Sequence, residues 1–503
     1  MMPFASMAAE GATAGGFLLV LGIMLPAVAI LALFVLGGRV AALAVALALA
    51  AQIVIALGIL FLVGDTGQPI VYVVGGWVPP LGITLRADGI SAIMLLTAGL
   101  VSAAAAAFAW RDYGPRAGEK ERRSSLVFFS ALLAIGSALN LLFTSADLFN
   151  LYVGLELLTF AAIPLVSLKG SAETIRAALR YLLFAVFGSM LYLLGVVLIY
   201  GAHGTLDIAA LAARAKPEAV TLLAAGLATA GLLAKTALFP FHLWLPPAHA
   251  GAPPAASAVL SALVVKGSLF LLARLWFDAF PALREPAAMQ LLAGLGAAAV
   301  ILGSVSALRQ VRLKLLVAYS TVAQIGYMFF IFTLVPSAPG EAWLSGTAWT
   351  GGWMQVVAHA FAKAAMFMAA GLVAEALGHD RIDALAGLAR RLPLVALTFA
   401  VSGLSLMGIP PSGGFSAKWM LLVAALAQGH WIWAAVIIAG GVLAGAYVFR
   451  VLGRMMAEPP EGLAVKPLNM GQQAVALGLA LVPVALGLLP LEPAALLQVG
   501  RAP

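Results

Sequence analysis

Lys235, Lys266, Lys363 and Lys418 are amines set inside apolar sequence, and Glu156 is a carboxylate set inside another such run. Lys266 is central in residues 254–277, Lys363 is central in 350–376, and Glu156 lies near the middle of 146–168. Lys235 stands one helical turn before Pro240, and Lys418 follows the break Gly-Ile-Pro-Pro-Ser-Gly-Gly at 408–414. A charge at mid-bilayer costs about 2.5–3.5 kcal/mol on insertion scales and usually marks an ion path. His359 precedes Lys363 by four residues, which places imidazole and amine on one helix face. Amines, imidazoles and carboxylates each exchange a proton, so the chemistry these residues offer is proton transfer. A single lysine near a helix end is as readily a snorkelling side chain. Four lysines, three of them near a span centre or a helix break, fit that reading poorly. For His359 the competing reading is a hydrogen-bonded core histidine.

Other polar residues are more ambiguous. His242 and His249 could bind a metal, but neither a carboxylate nor a thiolate accompanies them, so no metal site is expected. Tyr319, Ser320, Thr321 and Gln324 form a polar patch in 311–335 that either holds water or joins neighbouring helices. The chain has no cysteine, which excludes disulfides, thiolate zinc sites and iron–sulfur clusters; a redox centre would have to sit on a partner. No Gly-rich phosphate loop follows a strand pattern, so no nucleotide cofactor is expected.

The elements that must position these groups are membrane helices. Of 503 residues, 63% are hydrophobic and only 10% charged, against about a quarter charged in soluble domains. Fourteen apolar runs of spanning length can be marked, from 15–36 to 472–493. The stretch before Phe17 lacks basic residues, so the first run is expected to remain as a span rather than a cleaved signal. Beyond the four lysines inside spans, the other 24 basic residues divide between the two faces as 18 and 6 when the N-terminus is outside. Arg39, Arg111 to Arg123, Lys314 and Arg381 are among the 18; Arg86, Arg274 and Arg284 are among the 6. That bias follows the positive-inside rule and puts both termini on the outer side of the cell (inner) membrane. The net charge of +8 thus reflects topology, and nucleic acid is excluded as a partner.

Two spans are interrupted, 219–240 by the Pro-rich stretch that follows Lys235 and 393–427 by Pro410 to Gly414. They lie five spans apart and so run in opposite senses, the pattern of inverted repeats with discontinuous helices at an ion path. Opened backbone is tolerated at depth only where protein or water satisfies it.

These stretches carry a resemblance. Lys-Thr-Ala-Leu-Phe-Pro-Phe-His-Leu-Trp-Leu-Pro at 235–246, Ser-Ala-Leu-Val-Val-Lys at 261–266, the run 314–327, His-Ala-Phe-Ala-Lys at 359–363 and the break before Lys418 resemble the antiporter-like proton-channel family. That family contains the large membrane subunits of complex I, of membrane-bound hydrogenases and of Mrp-type multisubunit Na+/H+ antiporters. The resemblance implies an all-α polytopic membrane protein with two inverted five-helix repeats. It divides the chain into N-terminal helices (1–120), a first repeat (121–280), a second repeat (281–458) and a last helix (459–503). It also implies that Glu156 and Lys235 are a buried carboxylate–lysine pair, Lys266 and Lys363 the central relay, and Lys418 the terminal lysine.

Within the family, the A-type and chain L-type subunits carry a long C-terminal extension, whereas ten residues follow the last span here. Chain M of complex I usually has glutamate where Lys418 stands. The D-type member of Mrp antiporters fits both features, with other membrane subunits of its complex, protons and Na+ as partners. One departure is Pro247, where the family often has an acid, as some hydrogenase-linked members also lack it. A solute transporter would need a roomy specificity site, and a structural subunit would not need four buried lysines. The expected activity is ion translocation rather than enzymatic turnover.

Overall fold

The structure, a computed structural model, describes residues 12–36, 38–114, 122–336, 342–460, 465–488 and 493–501. Residues before 12, and the loop 115–121 that carries Arg116 and Lys120 of the basic cluster, lie outside the described residues. The chain is a polytopic all-α membrane protein. Six long helices come first: α1 (Phe17–Leu36), α2 (Gly38–Thr66), α3 (Gly89–Tyr113), α4 (Arg123–Thr144), α5 (Leu148–Ser167) and α6 (Ala172–His203). Next come α7 (Ala219–Gly251), α8 (Pro254–Ala279), α9 (Pro286–Leu308), α10 (Leu313–Leu334) and α11 (Trp343–Leu377). The twelfth crossing, α12, is a pair of short apolar helices, Pro393–Met407 and Gly413–Ala427, and α13 (Trp431–Met456) and α14 (Met470–Leu488) complete the set. Among the described residues, thirteen helices are long and apolar enough to cross a bilayer, and the α12 pair supplies a further crossing.

Burial separates the helices into an inner and an outer group. All but the ends of α8 is buried, and most of α10 and α11, whereas α1, α2, α13 and α14 bury only one face. A helix apolar all round belongs inside a bundle or in lipid; the inner three carry lysines that lipid would not accept. Asp88, Asp147, Ser171 and Ser412 cap the starts of α3, α5, α6 and the second half of α12 by accepting from backbone amides three residues on.

The structure departs from the sequence expectations at four places. A hairpin of β1 (Ile70–Val73) and β2 (Thr84–Ala87) precedes α3, pairing Ile70 with Ala87 and Val73 with Thr84. The first broken span reaches Gly251 rather than ending at 240: residues 237–240 are an internal interruption, followed by a short turn and the second half-helix Leu245–Gly251. Arg274 and Lys314, counted among the loop and span-end cations, are buried, with relative exposures of 6% and 5%. Arg274 is held by Asp88 at 2.6 and 2.7 Å, Asp278 at 2.6 Å and Ser91 at 3.0 Å. Arg274 thus forms a second buried ion-pair cluster beside Glu156–Lys235. The Arg274 cluster lies at the ends of α3 and α8, where multiple carboxylates compensate the desolvated guanidinium. Lastly, α8 contains two π-helical segments, Leu260–Val264 and Arg274–Ala279.

Candidate functional site

Lys235 lies in the last turn before the break in α7. Its Nζ is 3.2 Å from Glu156 Oε1, donates to Thr159 Oγ1 at 2.9 Å and reaches the Leu155 carbonyl at 3.3 Å. Glu156 and Thr159 are three apart on α5 and so present one face to the amine. The Lys235 side chain is 6% exposed and the Glu156 side chain 18%. A glycine contact sets the approach of α6 to α7: a Cβ on Gly231 would stand 2.2 Å from the Gly188 carbonyl, so only bare backbone fits. The break itself begins at Ala237, in the left-handed region at φ 57°. Thr236 Oγ1 donates to Ser268 Oγ at 2.9 Å and ties the end of the half-helix to α8.

Lys266, on α8, is 1% exposed, and its Nζ donates to the Ser261 carbonyl within the first π segment. Such segments are single-turn insertions found often at functional sites. The Ser261 hydroxyl meets Thr321 Oγ1 on α10 at 2.9 Å. On α11, Lys363 Nζ donates to the Val317 carbonyl at 3.0 Å and to Ser320 Oγ. Gln324 Nε2 donates at 3.0 Å to the Leu406 carbonyl, which also accepts from Lys418 Nζ. Lys418 stands 4.2 Å from the centre of the Tyr327 ring. Gln355 on α11 donates to Gln324 Oε1 at 2.9 Å and extends the network.

One helix thus serves Lys363 and Lys418 directly and Lys266 through Ser261. Val317, Ser320, Thr321, Gln324 and Tyr327 recur at three- and four-residue spacing along α10, one stripe of a 3.6-residue helix. Of the four patch residues named from sequence, Ser320, Thr321 and Gln324 belong to this stripe. Tyr319 does not; it is half-buried, with its ring 6.5 Å from that of His242.

The structure brings some of the candidate residues together and leaves others apart. Glu156 and Lys235 are paired directly. Lys363 and Lys418 are linked through α10 or a carbonyl it shares, and Lys266 reaches α10 only through Ser261. His359 is 1% exposed, and among the described residues neither ring nitrogen has a hydrogen-bond partner. Among the described residues no hydrogen bond joins Lys235 to Lys266, so a proton passing between them needs water or side-chain movement. His242 lies half-buried in the turn after the break, and His249 is buried with its ring stacked on Phe367 at 4.6 Å. Among the described residues no three His, Cys, Asp or Glu side chains stand together as a metal site.

Residues 145–444 match the family described as NADH:quinone oxidoreductase/Mrp antiporter, transmembrane. The chain belongs to this family. All six candidate residues, from Glu156 to Lys418, fall inside the matched segment. As a member of the NADH:quinone oxidoreductase/Mrp antiporter family, the chain is an antiporter-like ion-translocating subunit. The N-type member of the NADH-quinone oxidoreductase of Desulforudis audaxviator is 35% identical over 390 residues, covering 77% of this chain and 75% of the relative. The D-type member of the Na(+)/H(+) antiporter of Alkalihalophilus pseudofirmus is 32% identical over 375 residues, covering 73% and 72%. A chain in the structure of the Mrp complex from Dietzia sp. superposes with a TM-score of 0.86 at 26% identity, covering 97% of this chain and 98% of that one. The complex I branch of the family is represented here by the N type, which the sequence reading, confined to the L and M types, leaves out.

Proposed function

We propose that this chain is the proton-translocating subunit of a multisubunit Na+/H+ antiporter of the cell membrane, with both termini on the outer side. The Lys235 ammonium 3.2 Å from the Glu156 carboxylate, beside an opened helix, is the observation that carries the reading. In this reading residues 121–280 and 281–458 are inverted repeats, flanked by 1–120 and 459–503. At an effective dielectric of about 20, opposite charges about 4 Å apart attract by ~4 kcal/mol and at about 8 Å by ~2 kcal/mol. Movement of the break at 237–240 can separate the pair by that much. The released proton then passes to Lys266, across the hydroxyls of Ser261 and Thr321 to Lys363 and His359, and by the Gln324 side to Lys418.

The antiporter reading is supported by the TM-score of 0.86 to the Mrp complex chain and by the 32% identity to the D-type antiporter relative. The second reading, a proton-pumping subunit of a complex I-like or hydrogenase-like assembly, is favoured by the 35% identity to the N-type relative. In either assembly the redox chemistry would belong to partner subunits, because this chain has no cysteine to hold a cluster. Purification of the native complex with identification of its subunits, combined with Na+/H+ exchange in everted vesicles, separates the two. Co-purifying antiporter subunits and sodium-dependent proton flux support the first; co-purifying NADH-oxidising, quinone-reducing or hydrogenase subunits overturn it.

A further inference from the structure

Lys314 stands outside the route just described, yet it is buried. It is the second residue of α10, at the basic-rich face, and its Nζ donates to the Ala252 carbonyl at 2.6 Å, at the end of the second half of α7. Above it toward the surface lies Asp380: the Lys314 backbone amide is 3.3 Å from Asp380 Oδ2, and Arg312 Nε donates to Asp380 Oδ1 at 3.0 Å. Three residues before Ala252 is His249, 1% exposed, with its Nδ1 unpartnered. Its ring stacks on Phe367, centroids 4.6 Å apart and planes at 24°. Phe367 is one turn beyond Lys363 on α11, and Lys363 in turn donates to the carbonyl of Val317, one turn beyond Lys314 on α10. Lys314, His249 and Lys363 therefore occupy neighbouring turns of three packed helices, each turn rising ~5.4 Å.

A lysine on a terminal carbonyl is ordinarily a cap. A cap this close to the surface would normally keep its ammonium in water, whereas this one turns inward from a face already crowded with Arg312 and Arg381. A buried imidazole nitrogen without a partner is also costly unless a proton or a water visits it.

We infer that Lys314 and His249 form a branch through which protons from the basic-rich face join the relay at Lys363. The inference rests on the proton route proposed above. In one passage the Lys314 ammonium gives its proton to a ring nitrogen of His249, directly or across one water. The other ring nitrogen releases a proton to the neutral amine of Lys363. Lys314, left neutral, is recharged from surface water beside Asp380, so one proton enters and one reaches Lys363.

The test compares variants of the whole complex in proteoliposomes, with proton flux as the readout and subunit co-purification as the assembly control. An arginine at 314 retains donors for the Ala252 carbonyl but does not deprotonate. Lys314→Arg should therefore lower flux by about tenfold or more, a branch costing less than the ~10²–10⁴-fold that an obligatory acid–base group can contribute. Lys314→His, which can still titrate, should retain more flux than Lys314→Arg. Should the arginine variant fail to assemble, His249→Phe keeps the aromatic stack on Phe367 and should show the same loss. Wild-type flux in Lys314→Arg, or in His249→Phe, overturns the branch and leaves Lys314 as a helix cap. Failure of the route itself would appear separately, as normal flux in Glu156→Gln.

Discussion

Ala237 and Gly408 close the first halves of the two broken spans with the same loop. Both are left-handed, at φ 57° and 79°. In each case the next residue's amide reaches back to the carbonyl five before it, Leu238 to Leu233 at 3.2 Å and Ile409 to Leu404 at 3.0 Å, the Schellman pattern. Each is followed three residues later by a proline, Pro240 or Pro411. Lys235 precedes its break and Lys418 follows its own, but α7 and α12 cross in opposite senses. The two amines thus fall on the same side of the two breaks. That arrangement supports a single polar axis built from two copies of one device.

The αL position at 237 is filled by alanine, which costs roughly 1–2 kcal/mol relative to glycine there. Ala237→Gly should raise the thermal stability of the purified complex by up to about 1 kcal/mol, while Ala237→Val should lower it. Thermal unfolding in detergent measures both. A destabilised glycine variant would mean that the loop is not held in the left-handed form.

Lys418 offers a charge-preserving test. A guanidinium effectively never deprotonates, so Lys418→Arg should leave the complex assembled and block proton transfer. Lys418→Glu retains a titratable group and should keep partial activity. Antiport in everted vesicles decides between relay and anchor: arginine working as well as lysine makes Lys418 an electrostatic anchor.

The lysines and Glu156 were legible in the sequence because a charge stands out in apolar surroundings, and the two breaks were legible because Pro and Gly interrupt a helix. The α10 stripe was only half legible. Ser320 and Thr321 can satisfy themselves on their own helix, as Thr321 does on the Val317 carbonyl at 3.1 Å, so their types do not reveal that they also serve Ser261 and Lys363. Lys314 and Arg274 lie near helix ends, where basic residues are ordinarily topological signals. Nothing in sequence alone marked their burial, which depends on Ala252 and on Asp88, both distant along the chain. The hairpin is not legible in sequence, because its strands are four residues each and one flank is rich in Gly and Pro. The π segments of α8 have no sequence signal that we can name.

Topology is open to direct labelling, since the native chain has no cysteine. The proposed orientation places His379 on the basic-rich inner face and Lys216 on the outer face. A cysteine at 216 should react with an impermeant maleimide in intact cells, and a cysteine at 379 only after the membrane is opened. The reverse pattern would invert the assignment of the faces.

In the proposed route, proton movement depends on the Glu156–Lys235 pair. The most direct measurement is proton flux in everted vesicles or proteoliposomes containing the assembled complex, with Glu156→Gln and Lys235→Ala compared against wild type at equal complex content. Each variant should insert, assemble and lose flux. Near-normal flux in either variant would contradict that route and return the pair to a structural role.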